Sequence, residues 1–143
     1  MPYIRVWVHF VWSIKNREPM MKKGIRERMI DHIRKNAKDK KILLDCIDGY
    51  VDHLHALVSL KAEQSISKIA QHLKGESSHW ANEQRLTPMR FEWQDEYFAI
   101  SVGDSAVHEV REYIRNQEEH HRKKTFAEEY NEFLMKHGFP EKG

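Results

Sequence analysis

VDHLHALVSL, residues 51 to 60, is an apolar run interrupted by two histidines. In an extended strand, residues two apart point to the same side. His53 and His55 therefore project together, while Leu54, Ala56, Val58 and Leu60 form a face suited to a core. The histidine side also carries Leu57 and Ser59 and is mixed. Two imidazoles about 7 Å apart at Cβ can converge on one metal ion or one phosphate. They can equally be half-buried histidines satisfied by backbone or water, and a bare His-x-His does not separate the two.

Working outward, residues 3–13, YIRVWVHFVWS, alternate in the same way. Ile4, Val6, Val8, Phe10 and Trp12 share one face of a first strand, with His9 on the other. Over 23–37, Ile25, Met29, Ile30 and Ile33 recur at helical spacing. ILLDCIDGYV reads as a second strand, antiparallel to the histidine strand, with Gly49 as a candidate bulge. Ser65 can cap a helix carrying Ile66, Ile69, Ala70 and Leu73 inward, which continues or restarts through GESSHWANEQ until Pro88 breaks the pattern. MRFEWQDEYFAISV holds one or two short strands, best at 97–102. Asp104 or Ser105 then caps a helix to about residue 121, with Val107, Val110 and Ile114 as its apolar stripe. A last helix, about 126–137, stops at Gly138 with Pro140 beyond.

Strand, helix, strand, strand, helix, strand is a split βαβ order. It predicts an α+β, ferredoxin-like antiparallel sheet with helices on one face, followed by C-terminal helices. No linker divides the 143 residues, so 1–143 reads as one domain, with a C-terminal helix at about 124–137 as an extension. Apolar residues at 40% and charged residues at 32% describe a globular chain, and a net charge of +2 does not by itself point to nucleic acid. Cys46 is the one cysteine, which excludes an intrachain disulfide and a cysteine zinc framework. No apolar stretch is long enough for a membrane span, and MPYIRVWVHF lacks the pattern of a secretory leader. A cytoplasmic protein is expected.

Within the helix expected over 104–121, Tyr113 and Gln117 are four residues apart and stack on one face. They flank the Val110 and Ile114 stripe, at the edge of a buried surface. By themselves they also suit boundary packing and a surface residue.

HFVWSIK, DHLHALV, ISKIAQHLKGESSHW, WQDEYFAISVGD and VREYIRNQ, in this order and spacing, resemble the single-tyrosine HUH transposases of the insertion-sequence-200-like family and their repeat-associated relatives. The match runs from about residue 9 to residue 117. The resemblance implies a ferredoxin-like fold. It implies that His53 and His55 bind a divalent metal, Mg²⁺ or Mn²⁺, with Gln117 as third protein ligand, and that Tyr113 is the nucleophile. It also implies a homodimer, with Tyr113 acting in trans, that cleaves and rejoins single-stranded DNA at hairpins on element ends through a 5′-phosphotyrosine.

The residue types suit that chemistry. A free tyrosine has a pKa near 10 and needs help to attack at neutral pH. Two imidazoles and an amide oxygen leave coordination positions open for phosphate and water. Asp52 can orient an imidazole, or can be a turn residue. Lys15, Arg17, Lys22 and Lys23 after the first strand, with Lys74, Gly75, Ser77 and Ser78 in LKGESS, are candidate DNA contacts. His120 and His121, which continue the tyrosine helix, read as solvated residues, with extra ligands or proton carriers as the alternative.

Two other functions compete. One is a domesticated hairpin-binding protein without cleavage. The other is a two-histidine phosphoesterase, which would need a second His-x-Ser/Thr. His32 and His72 are followed two residues on by Arg34 and Lys74, so neither supplies it.

Overall fold

The computed structural model describes residues 3–139. Pro140, the expected stop after the last helix, lies outside the described residues. Four strands, β1 (Val6–Ser13), β2 (Leu43–Gly49), β3 (His53–Leu60) and β4 (Phe98–Val102), form one antiparallel sheet in the order β2-β3-β1-β4. Between them run α1 (Lys23–Asp39) and α2 (Ile66–Glu83), and α3 (Val107–Arg115), α4 (Gln117–His121) and α5 (Phe126–Lys136) follow. This is the expected ferredoxin-like α+β architecture. None of the described helices is long and apolar enough to cross a membrane.

Strand alternation sorts the two faces of the sheet. Val8, Phe10 and Trp12 of β1 and Leu54, Ala56 and Val58 of β3 pack against Met29 and Ile33 of α1 and Ile69 and Leu73 of α2. The opposite face is covered by the C-terminal helices. Leu57 meets Val107 and Ile114 of α3, and Val11 meets Phe126, Tyr130 and Leu134 of α5. His9, His53 and His55 lie on that second face, so the C-terminal helices turn a half-exposed polar strip into an enclosed site.

Ser65 caps α2 by accepting from the Lys68 N–H at 3.2 Å, and α2 runs unbroken to Glu83. Three boundaries differ from expectation. The β-bulge falls between Leu44 and Cys46, not at Gly49. Gly49 serves a close approach instead: a Cβ there would stand 2.1 Å from the His53 carbonyl oxygen. Asp104 does not cap α3, which has no side-chain cap. Its carboxylate takes the Trp7 indole N–H at 3.1 Å, tying the start of β1 to the end of β4. The predicted helix to residue 121 is broken at Asn116 (φ −100°, ψ 26°), so α3 and α4 are separate.

Candidate active site

β3 delivers His53 and His55 to one side, both 0% exposed. The hairpin turn before them fixes the first. Asp52 takes a hydrogen bond from His53 Nδ1 at 2.8 Å. An ionised carboxylate only accepts, so this contact sets the tautomer and leaves the Nε2 lone pair facing the site. His55 Nδ1 lies 2.9 Å from His9 Nε2, contributed by β1. His9 is buried too, and burial followed by the neighbouring His55 pushes its pKa well below the usual histidine range.

Two ties hold the C-terminal helices over the strand. Arg111 of α3 grips Asp45 of β2 with two hydrogen bonds of 2.7 and 2.8 Å. Arg26, buried on α1, donates to the Met21 carbonyl and reaches Glu118 of α4 at 2.5 Å. Tyr113 then stands with its ring centroid 5.6 Å from that of His55. Gln117, 0% exposed, donates from Nε2 to the Tyr113 carbonyl at 3.2 Å, which directs its Oε1 to His53 Nε2 at 3.1 Å. The four residues singled out in the sequence thus meet within a single chain, despite the break in their helix.

The chain brings in further groups that sequence reading missed. Glu129 of α5 is 2% exposed. Its Oε1 lies 3.1 Å from His55 Nε2 and 3.4 Å from His53 Nε2. Its Oε2 accepts the Tyr113 hydroxyl hydrogen bond and lies 3.1 Å from His120 Nε2. The signal was present: residue 129 falls three after Phe126 and four before Phe133, inside the apolar stripe of α5, where a carboxylate is out of place. His121 is not solvated. Its side chain is buried, stacks on Tyr50 and points Nε2 at Gln117 Oε1, 3.1 Å away. His120 is not solvated either: it is half-buried, with Nε2 3.1 Å from Glu129 Oε2 and 3.4 Å from the Tyr113 hydroxyl.

Electrostatics divide these groups. Burial favours neutral Glu129, but hydrogen bonds from His121, His53 and His55 outweigh it, and the carboxyl is held well below its usual range. Burial opposes charge on His53, yet the Asp52 and Glu129 carboxylates together raise its pKa. His55 goes the other way: burial lowers it to about 4 against the pull of Glu129. Burial, then the Glu129 hydrogen bond and charge, raise the Tyr113 phenol well above its ordinary value, so at neutral pH it carries its proton. His53 Nε2, His55 Nε2 and Gln117 Oε1 fit a divalent metal: two are imidazole nitrogens aimed by partners at Nδ1, and the amide oxygen is oriented by its own nitrogen.

The candidate DNA contacts divide as well. Lys74, Gly75 and Ser78 line an open groove of about 580 Å³ between α2 and residues 90–97. Lys15 reaches the same segment through an ion pair with Glu92 at 2.8 Å. Two patches far apart in sequence therefore border one surface. Arg17 lies over the Phe126 ring, and Lys22 and Lys23 are exposed where α1 begins. Ser77, expected among the contacts, is unavailable. It is fully buried, donates to the Leu73 carbonyl at 2.6 Å and accepts the Trp93 indole N–H at 2.9 Å.

A fold of this topology, with paired histidines on β3 and a tyrosine beside them, invites comparison with known proteins. Residues 3–117 match the model of the IS200-like transposases, and the chain belongs to that family. It is 22% identical over 115 residues to the ISDra2 transposase TnpA of Deinococcus radiodurans, covering 76% of this chain and 81% of that protein. Among solved structures, a Deinococcus radiodurans protein assigned as a transposase superposes with a TM-score of 0.64 at 21% identity, covering 81% of this chain and 93% of that one. A REP-associated tyrosine transposase bound to a REP hairpin gives a TM-score of 0.64 at 17% identity, covering 85% of this chain and 72% of that one.

Proposed function

We propose that this transposase cleaves and rejoins single-stranded DNA at hairpin-bearing ends, with Tyr113 as nucleophile and a divalent metal, Mg²⁺ or Mn²⁺, held by His53, His55 and Gln117. The observation that carries the reading is the convergence of those three donors beside the Tyr113 hydroxyl in a member of the IS200-like family. A metal there would polarise the scissile phosphate and steady the charge that develops on it.

The Tyr113 oxygen attacks phosphorus in line with the departing 3′ oxygen. A phosphotyrosine bond forms, the P–O3′ bond breaks, the phenol gives up its proton and the leaving oxygen gains one. The 5′ end stays on the protein and a 3′-hydroxyl is released. Because one phosphate ester replaces another, a second 3′-hydroxyl can reverse the step without ATP. Asp52 and His9 keep the two imidazoles in position throughout. Lys15, Arg17, Lys22, Lys23, Lys74, Gly75 and Ser78 are the contacts we assign to DNA. The hairpin-bound neighbour is consistent with a hairpin ligand.

The family resemblance favours a homodimer with Tyr113 acting in trans. A site complete within one chain is the second reading, favoured by the 5.6 Å between the Tyr113 and His55 rings of the same chain.

The test is a denaturing gel after incubation with end-labelled single-stranded hairpin DNAs, with Mn²⁺ or with chelator. A metal-dependent covalent species whose tryptic DNA-peptide contains Tyr113 is the expected result. A native-gel shift with no covalent species under any metal condition would point to a binding protein without cleavage.

A further inference from the structure

The family match ends at residue 117, and α5 lies beyond it. Yet α5 drives Glu129 into the centre of the histidine cluster. A carboxylate is rarely buried so completely unless it is paired or coordinates a metal. Its two oxygens face different groups. Oε1 looks toward His55, His53 and His121 at 3.1, 3.4 and 3.3 Å. Oε2 looks toward Tyr113 and His120.

Hydrogen accounting shows what Oε1 meets. His53 Nδ1 donates to Asp52, so neutral His53 presents a lone pair at Nε2. His121 Nδ1 donates to the Lys124 carbonyl at 2.6 Å, so neutral His121 does the same. Gln117 has its nitrogen committed to the Tyr113 carbonyl and presents Oε1. With those imidazoles neutral, three lone pairs and Glu129 Oε1 converge, and a cation there takes the place of the protons that the histidines otherwise share with Glu129. Such an arrangement suits a cation. On a six-coordinate Mg²⁺ with bonds of about 2.1 Å, adjacent donor atoms stand roughly 3 Å apart. The separations are 3.1 Å for His53–Gln117, 3.1 Å for His55–Glu129 and 3.4 Å for His53–Glu129.

We infer that Glu129 is a fourth protein ligand to the metal, binding through Oε1 while its Oε2 holds the Tyr113 hydroxyl beside that metal. This rests on the metal site of the proposed function. Charge supports it: as metal ligands His53, His55 and Gln117 bring no negative charge, and hard divalent cations favour carboxylate oxygen. One side chain then sets the distance between metal and nucleophile. It also gives α5 a part in the site, although α5 lies outside the matched family segment.

The test is Mn²⁺ binding to the full chain without DNA, by calorimetry and by the electron paramagnetic resonance signal of free Mn²⁺. Glu129→Gln keeps the shape and removes the charge, and is expected to weaken Mn²⁺ at least about tenfold. Glu129→Asp keeps the charge and should fall between the two, and it carries the test if the Gln variant does not fold. Parent-like affinity in both variants overturns the inference. If His53→Ala abolishes binding while Glu129→Gln does not, the inference fails and the metal site of the proposed function stands. If the parent chain binds no Mn²⁺, that metal site fails, and the inference with it.

Discussion

Tyr113→Phe separates chemistry from structure. The change removes one oxygen and keeps the ring, whose neighbours are His120 at 5.2 Å, His55 at 5.6 Å and Phe133 at 5.8 Å between centroids. The lost interaction is the hydrogen bond to Glu129 Oε2. A hydrogen bond to a charged group contributes about 1.5–3 kcal/mol. Here Oε2 keeps His120 Nε2 at 3.1 Å, so the carboxylate is not orphaned and the low end, about 1.5 kcal/mol, is expected. With a urea slope of about 1–3 kcal/mol/M, the unfolding midpoint should fall by roughly 0.5–1.5 M. Covalent capture of DNA should disappear altogether, because no phenolic oxygen remains to form the ester. Hairpin affinity should stay within about twofold, or roughly 0.4 kcal/mol, since Tyr113 lies outside the groove lined by Lys74 and Gly75. Urea melts, a denaturing gel and a native gel on one preparation read all three quantities. Covalent capture that persists in the Phe variant would refute the assignment of Tyr113 and turn attention to Tyr130 and Tyr97.

Other changes probe separate parts of the molecule. Gly75→Ala should stabilise α2 by up to about 1 kcal/mol, since the new methyl would meet only Gln71 Cγ at 4.0 Å. If DNA approaches the backbone there, hairpin affinity falls in the same variant, and a stabilised protein with unchanged affinity would remove Gly75 from the interface. Ile114→Ala, at a fully buried position between α3 and the sheet, should cost about 2–5 kcal/mol in chemical denaturation, and a loss under 1 kcal/mol would mean that α3 is not anchored there. Lys74→Ala should weaken binding to all hairpins alike and reduce the salt slope by about one, and a sequence-selective loss would contradict a phosphate contact. Mixing Tyr113→Phe with His53→Ala protein distinguishes the two assemblies: capture restored by mixing requires a tyrosine acting in trans, and two inactive partners that stay inactive support a site within one chain.

Much of this protein can be read from local sequence. Period-2 alternation in YIRVWVHFVWS and HLHALVSL was enough to sort core face from histidine face, because a strand offers only two sides. Helical spacing in 23–37, the Ser65 cap and the order of elements led to the ferredoxin-like sheet. His53, His55, Tyr113 and Gln117 were visible as candidates because their motifs are short and continuous, and the family resemblance, not the motifs alone, singled them out. Other features depend on contacts between distant segments. Ser77 belongs to the core only because Trp93 returns to donate to its hydroxyl, and the β-bulge sits at Leu44–Cys46, away from the glycine that suggested it. His9 becomes a partner of His55 through the pairing of β1 with β3, which sets His9 against the histidine strand from 46 residues away. Glu129 enters the site because α5 folds back over the sheet, anchored by Phe126, Tyr130 and Leu134. A sequence records which residues share a face of their own helix or strand. Which faces meet is set by packing across the whole chain, and at this site that packing brings Glu129, His121 and His9 to the four residues already singled out.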